Sequence, residues 1–584
     1  MFLSREALEQ LSWQALERAV TRLLIHDGYQ DVRLVGQSSD QGADLIAHKF
    51  SKRWVFQVKK LKAKCGVQVL DRTCEAARTY KAQIPVIVCS GGFDEASMEH
   101  QAALQSRHAP LQLWDADELL RRVARLDQTV WPSKGLDLRK YQESAIQLIV
   151  QTYSEEHSRR ALVVMATGLG KTVTAAEALR RIISSSRTPK ILVLAHTNLL
   201  VYQLERAFWS FLTPVHETVV WNGSEKPSSS ALSRAAFTFA CIDSVHNELH
   251  RESSLPDYSV VVIDECHHAG ARMYSEVIEH LRAGSEGGPF LLGLTATPWR
   301  PGGNELDTIF GSPLVSVDML TGLRNGFLAK IDYRMYVDNI NWEALSTLQG
   351  DRLSPRHINR TLFITEWDEA VVLEFKRVWE EQRKPRALIF CGTIDHAIMI
   401  RDRINAYNFC NASAIYSGTK AGRTMQAFER NRILSDFHDG QVNALCVVDI
   451  FNEGVDVPDV NIIVFQRMTH SRRIFVQQLG RGLRISSEKD KVIVLDFVSD
   501  IRRFAAGLEL KDAVEGRDRS GGPRASVRTT LNHKVTFRRA GQEDPQSESF
   551  LREWLHDIAA IEGADEDAAV LRFPPALRGG ERDI

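Results

Sequence analysis

The sequence contains no Cys-x-x-Cys pair. Its eight cysteines, at positions 65, 74, 89, 241, 266, 391, 410 and 446, are scattered along the chain. That spacing argues against structural zinc and for reduced thiols in a cytoplasmic setting. No apolar run approaches the roughly 18 residues that a membrane span requires, so no membrane association is expected. The start, Met1-Phe-Leu-Ser-Arg-Glu, lacks the basic-then-apolar pattern of a secretory signal. Neither sign of charge is in excess: 73 Lys and Arg against 74 Asp and Glu leave a net charge of -1. A polyanion would therefore have to be held by local basic patches rather than by the charge of the whole molecule. The chain does have length, and 584 residues, 44% of them hydrophobic, predict about three to four globular domains.

The most informative stretch is Ala161-Leu-Val-Val-Met-Ala-Thr167-Gly168-Leu-Gly170-Lys171-Thr172. Five apolar residues read as a buried parallel strand, followed by a glycine-bearing turn and a helix-compatible segment over 173–183. This is the pattern of a phosphate cradle. Gly168 and Gly170 let backbone amides approach phosphate oxygens, Lys171 reaches the outer phosphates and the Thr172 hydroxyl is suited to Mg²⁺. The eight-residue pattern is incomplete, because Met165 stands where the first glycine would be. A second apolar strand ends in Asp264-Glu265-Cys266-His267-His268. Two adjacent acids at the carboxyl end of a strand sit where ligands bind in open α/β sheets. Asp264 is placed to hold Mg²⁺ through water and Glu265 to polarise an attacking water. Adjacent histidines point in different directions and have no suitably spaced cysteines, which argues against zinc there too.

A third strand carries hydroxyls at its end, Leu291-Leu-Gly-Leu-Thr295-Ala-Thr297-Pro298, and another leads to His196-Thr197 with Gln203 nearby. A second alternation of strands and helices then runs from 387 to 497 without a phosphate loop of its own, so any part it takes in catalysis must be played across a cleft. It supplies a glycine- and acid-bearing turn, Asp449-Ile-Phe-Asn-Glu453-Gly454-Val-Asp456, and a Gln478, Arg481, Arg484 series at intervals of three, one stripe on a helix. Guanidiniums aimed at a γ-phosphate contribute roughly 10³ to 10⁵ in rate in other NTPases.

The order and wording of these segments resemble superfamily 2 helicases, specifically the branch with a DECH box that contains restriction-enzyme motor subunits and related repair helicases. The resemblance implies two RecA-like lobes that bind ATP and Mg²⁺ between them and move along DNA, duplex being favoured. It implies adenine recognition by Gln142 with support from Arg139, coupling of nucleotide state to DNA by Thr295 and Thr297, and DNA contact near Thr197. It also makes Arg484 the arginine finger and Arg481 its companion, with Gly454, Asp456 and Gln478 lining the nucleotide site.

The first 130 residues read differently. An amphipathic helix over 11–26 carries Glu17 and ends at Gly28-Tyr29, and short strands follow at 32–35, 43–47 and 54–58. If Ser51 and Lys52 form the hairpin loop, Phe50 pairs with Arg53 and Asp44 falls opposite Lys59, with Gln57 on the same face. Such a cluster suits a divalent metal and a water to be activated. Glu17, Gly42-Ala-Asp44 and Gln57-Val-Lys59 resemble the Mrr-like branch of the PD-(D/E)xK restriction endonuclease fold. The resemblance implies that Asp44, Gln57 and Glu17 hold Mg²⁺ and that Lys59 stabilises the phosphorus centre or positions water. A nuclease fold retained only to grip DNA stays open. The basic residues Lys49, Lys52, Arg53, Lys59, Lys60, Lys62 and Lys64 fit both readings.

The expected organisation is thus α/β throughout: an endonuclease-like domain over 1–128, a linker over 129–135, a first RecA-like lobe over 136–330, an inter-lobe bridge over 331–370, a second lobe over 371–505 and an extension over 506–584. The expected function is an ATP-driven DNA translocase or helicase coupled to a Mg²⁺-dependent endonuclease in prokaryotic defence, with protein partners supplying sequence specificity. Two alternatives are a repair helicase whose front domain only binds DNA and a nucleotide-controlled DNA-sensing subunit of a larger complex.

Overall fold

The computed structural model describes residues 1–35, 42–106, 110–155, 158–185, 189–249, 255–296, 305–317, 321–322, 325–338, 363–416, 419–420, 423–425, 427–448, 460–466, 491–498 and 537–539. They form two units, Met1–Asp318 with Gln426–Arg432, and Met319–Met425 with Ile433–Ile584.

The first unit opens with helices α1 (Arg5–Gln10) and α2 (Trp13–His26), then β1 (Gln30–Leu34), β2 (Leu45–Lys49), β3 (Lys52–Lys59), α3 (Val67–Thr79), β4 (Ile84–Cys89), α4 (Glu95–Ser106), β5 (Gln112–Trp114) and α5 (Ala116–Arg125). The sheet runs β1-β2-β3-β4-β5, antiparallel over the first three strands and parallel thereafter. Helix α2 begins where the Ser12 hydroxyl accepts from the Ala15 amide, as a capping side chain should. Its apolar stripe of Leu16, Val20, Leu23 and Leu24 packs on Phe56, Val58, Val86 and Val88 of the sheet.

The β2–β3 turn corrects the expected one. Phe50 and Ser51, both at positive φ (52° and 58°), make the two-residue loop, and Lys49 pairs with Lys52. Left-handed conformation at both loop positions matches the twist of the flanking strands. Carried outward, this register sets Asp44 level with Gln57 instead of Lys59. Side chains alternate with a period of two, so the two-residue displacement still leaves Asp44, Gln57 and Lys59 on one face.

The unit continues through α6 (Lys140–Ser154), β6 (Arg160–Met165), α7 (Lys171–Ser185), β7 (Ile191–Ala195), α8 (Asn198–Trp209), β8 (Thr218–Trp221), α9 (Ser229–Arg234), β9 (Phe237–Cys241), α10 (Ile242–Leu249), β10 (Val260–Asp264), α11 (Arg272–His280), β11 (Phe290–Thr295), α12 (Glu305–Phe310) and β12 (Pro313–Val317). These strands form a parallel seven-stranded sheet in the order β12-β6-β11-β10-β7-β9-β8. Strands covered on both faces must be apolar along their whole length, and every residue of β7, β9, β10 and β11 is buried. The connecting segment at 129–135 is fastened to this lobe: the Ser133 amide donates to the Ser210 carbonyl at 2.8 Å, and the Arg180 guanidinium lies 4.3 Å from the Trp131 ring centre.

The second unit contains β13 (Lys330–Asp338), β14 (Ala387–Phe390), β15 (Ala412–Tyr416), the small pair β16 (Thr419–Lys420) and β17 (Arg423–Thr424), β18 (Ala444–Val448), β19 (Ile462–Phe465), β20 (Lys491–Val498) and β21 (Phe537–Arg539). Its seven-stranded sheet runs β15-β18-β14-β19-β20-β13-β21, parallel except for β21. Residues 331–338, expected in a bridge, are instead a strand of this sheet, and Phe363–Glu380 is a helix whose Trp367, Val371 and Phe375 enter its core. Segment 537–539, expected in the extension, adds the antiparallel edge strand. The rest of the extension expected over 506–584 lies outside the described residues. No helix among the described residues is long and apolar enough to cross a membrane.

Candidate functional site

Strand β6 ends at the turn 166–170, where Gly168 (φ 90°) and Gly170 (φ 86°) take a backbone conformation that favours glycine. Helix α7 then starts at Lys171 itself. The turn is braced from α6: Gln142 donates to the Leu169 carbonyl at 3.1 Å and accepts from the Arg139 amide at 3.0 Å. The Tyr141 hydroxyl donates to the same Leu169 carbonyl at 2.9 Å. Arg139 and Gln142 are thereby brought to this turn, and Tyr141 is a support that the sequence reading passed over.

Parallel pairing of β10 between β7 and β11 delivers Asp264 and Glu265 beside this turn. Lys171 Nζ lies 2.8 Å from Glu265 Oε1. Burial alone would raise the Glu265 carboxyl, but Lys171 and then His267 outweigh it and hold the group well below the ordinary carboxylate range. Burial likewise opposes the Lys171 ammonium, and the two acids keep it charged. Asp264 is pushed up to about 6 by burial, and its Oδ1 is buried without a hydrogen-bond partner. A buried, unsatisfied carboxylate oxygen beside amides that converge on a turn fits a magnesium–triphosphate, whose charge would complement both. Glu265 is held in the left-handed region (φ 49°, ψ 50°), a conformation that costs a residue other than glycine about 1–2 kcal/mol and clusters at working sites. His267 Nδ1 lies 3.3 Å from Glu265 Oε2 and 3.3 Å from Thr295 Oγ1. His267 thus links the acid to the Thr-Ala-Thr strand end, a role hidden from a reading that weighed this histidine only as a metal ligand. Thr197 caps α8 by accepting from the Leu200 amide. Thr297, Asp449, Glu453, Gly454, Asp456, Gln478, Arg481 and Arg484 lie outside the described residues.

The second cluster sits on the N-terminal sheet. Asp44 Oδ2 accepts from the Val58 amide at 2.6 Å, which fixes it against β3. Gln57 is buried, and its Oε1 accepts from Thr73 of α3 at 2.5 Å. Glu17, from α2, is pushed up to about 8 by burial, then by Asp44, with Lys59 and Arg18 opposing. Glu17, Asp44 and Lys59 are therefore within electrostatic reach of one another. Two acids that resist sharing negative charge are the oxygen donors a hard divalent cation prefers, whereas the Gln57 amide oxygen is engaged by Thr73. Among the described residues no group of three His, Cys, Asp or Glu side chains is arranged to hold a metal, so a third protein ligand here would be the amide of Gln57. Gly42, at φ 77°, passes so close to α3 that a Cβ would stand 2.4 Å from the Arg72 carbonyl. Of the basic residues, Lys49 donates to the Asp27 carbonyl, Arg53 to that of Tyr80 and Lys60 to that of Leu8, whereas Lys52, Lys62 and Lys64 are exposed.

Comparison with known proteins matches three segments of the chain. Residues 8–123 match the family described as restriction endonuclease, residues 135–300 that of the type III restriction enzyme res subunit, and residues 369–486 the helicase conserved C-terminal domain. The chain is 24% identical to a putative mitochondrial ATP-dependent helicase, irc3, of Schizosaccharomyces pombe over 65% of its own length and 62% of the relative's. It is 25% identical to the type I restriction enzyme EcoAI endonuclease subunit of Escherichia coli over 70% of its own length and 52% of the relative's. It therefore spans little more than half of these relatives. Among solved structures, it is similar to the ATP-dependent Type ISP restriction-modification enzyme LlaBIII bound to DNA, with 15% identity, a TM-score of 0.49 and coverage of 87% of this chain and 39% of that one.

Proposed function

We propose that this chain, whose segments match a restriction endonuclease, the res subunit of type III restriction enzymes and the helicase conserved C-terminal domain, is an ATP-driven DNA translocase or helicase that also cleaves DNA, acting in prokaryotic defence. The observation that carries this reading is the presence of two separate acid-and-lysine clusters in one unit, Lys171 with Asp264 and Glu265, and Lys59 with Glu17, Asp44 and Gln57.

In the motor, the amides of the 166–170 turn and the Lys171 ammonium bind phosphate oxygens, with Thr172 and Asp264 holding magnesium. Lys171 exchanges Glu265 for phosphate as nucleotide enters, which leaves Glu265 to orient water and accept its proton while His267 steadies the other oxygen. Arg484 and Arg481 are assigned to the developing charge on the γ-phosphate. In the nuclease, Asp44, Gln57 and Glu17 hold magnesium, and Lys59 stabilises the scissile phosphate or positions the attacking water. The metal, when bound, supplies charge neutralisation and a water of lowered pKa.

Plasmid nicking in Mg²⁺, together with ATP hydrolysis on duplex DNA, single-stranded DNA and RNA, tests this. Asp44→Ala and Lys59→Ala are expected to lose nicking by about 100-fold or more with ATP hydrolysis intact, whereas Lys171→Ala loses hydrolysis. Nicking by Asp44→Ala at the wild-type rate would reduce the front domain to a DNA-gripping module. Failure of the wild type to hydrolyse ATP on any polynucleotide would remove the motor.

A further inference from the structure

Helix α2 serves two partners. Its Glu17 lies near enough to Asp44 and Lys59 for their charges to act on it, while Arg18 and Arg22, four residues apart and so on one face, bond groups of the first motor lobe. The Arg18 guanidinium is gripped by two acids of that lobe. Its Nε donates to Glu205 Oε2 at 2.7 Å, and its Nη1 bonds Glu225 Oε1. Only 12% of the Arg18 side chain is exposed, against 3% of Glu205 and 7% of Glu225.

Both acids are themselves fixed. Glu205 Oε1 accepts from Thr218 at 2.8 Å, and Glu225 Oε1 accepts from the Tyr202 hydroxyl at 2.9 Å. The Glu225 amide is held by Asn222 Oδ1 at 2.9 Å. One turn along α2, Arg22 donates to the carbonyls of Thr213 and His216. A forked, largely desolvated guanidinium between two anchored carboxylates is a rigid fastener, unlike a surface ion pair. Glu205 lies on α8, the helix that begins at the Thr197 cap.

We infer that Arg18 is a positioning residue of the nuclease site: clamped between Glu205 and Glu225 of the motor lobe, it sets where the adjoining Glu17 stands against Asp44. The cleavage site is then complete only while the endonuclease domain is seated on the motor. This rests on the reading of Glu17 as a nuclease-site carboxylate.

The test is calorimetric titration of the full chain with Mn²⁺, without DNA or nucleotide, the nuclease-site event being the one abolished by Asp44→Ala. ATP hydrolysis on duplex DNA is measured in parallel. In the triple variant Arg18→Met, Glu205→Gln, Glu225→Gln, which removes the guanidinium together with both carboxylates that grip it, Mn²⁺ affinity at that site is expected to fall about 10–100-fold, the usual penalty for losing a residue that orients a ligand. Arg18→Lys, which keeps the charge but not the fork, is expected to fall between the triple variant and wild type. ATP hydrolysis stays within about twofold in both. Wild-type Mn²⁺ affinity in both variants overturns the inference. So does a loss of ATP hydrolysis in step with Mn²⁺ affinity, which would make Arg18 a prop of the fold alone, and so does the absence of any Asp44-dependent event in the wild type. A wild type that binds Mn²⁺ there, with the expected sensitivity to Arg18, yet nicks no plasmid would refute the nuclease reading and leave the positioning role standing.

Discussion

Replacing Gly170 by alanine should disable the motor through a collision that can be sized from the geometry. The residue sits at φ 86°, and a Cβ there would stand 2.5 Å from Gln142 Nε2. The left-handed backbone costs alanine about 1–2 kcal/mol. Displacing the Gln142 amide forfeits its bonds to the Leu169 carbonyl and the Arg139 amide, about 1 kcal/mol each for a neutral hydrogen bond. The sum is about 3–4 kcal/mol, which can be met in either of two ways. If the turn keeps its shape, the lobe melts lower, by about 6–16 °C at about 2–4 °C per kcal/mol for 150–250 residues. If the turn relaxes toward negative φ, the amides leave the phosphate and ATP affinity falls by about 100-fold or more. Calorimetric melting and titration with ATP measure the two directly. Gly287→Ala is the control, since its φ is 70° but nothing lies within 4 Å of the new methyl; it should show the backbone cost alone. A Gly170→Ala chain that melts within a degree or two of wild type and binds ATP within twofold would refute the reasoning.

Two further outcomes are expected. Gly42→Ala would drive a methyl against the Arg72 carbonyl, which as backbone cannot swing aside. Because Asp44 is two residues away, plasmid nicking should drop by about tenfold or more while ATP hydrolysis is unaffected. His26 is pushed down to about 3 by burial, then by Arg22, so between its ordinary value and pH 3 it is neutral when folded and protonated when unfolded. The unfolded chain then binds the extra proton, and stability present above about pH 6.5 is lost as pH falls, by up to about 1.4 kcal/mol per pH unit. Denaturant midpoints at pH 7 and pH 5 should converge less for wild type than for His26→Phe, the variant lacking that proton.

The strands that carry chemistry were legible because a strand buried on both faces must be continuously apolar, and β6, β7, β10 and β11 stand out from their surroundings for that reason. The acids and glycines at their ends could then be placed. The hairpin register was misjudged by two residues because Phe50 and Ser51 adopt left-handed conformations without being the glycine or asparagine that announces such a turn. Strand β13 was missed because it reads Lys-Ile-Asp-Tyr-Arg-Met-Tyr-Val-Asp. Its buried Arg334 is neutralised by Asp332 and by Glu381, 47 positions away, and no local pattern reports a partner that distant. The same limit hid the Arg18 fastener, whose acids lie 187 and 207 residues downstream. Sequence periodicity describes what one segment needs to bury and is silent on which remote segment meets it.

The edge of the second seven-stranded sheet has a practical corollary. Among the described residues, strand β13 has β20 on one side and the three residues Phe537–Arg539 on the other, paired through Tyr336, Val337 and Asp338. A polypeptide ending between Val498 and Phe537 would keep β20 but uncover that row of amides and carbonyls, a template on which other chains can add. Insolubility of such a fragment would then reflect a missing cover strip rather than a motor unable to fold.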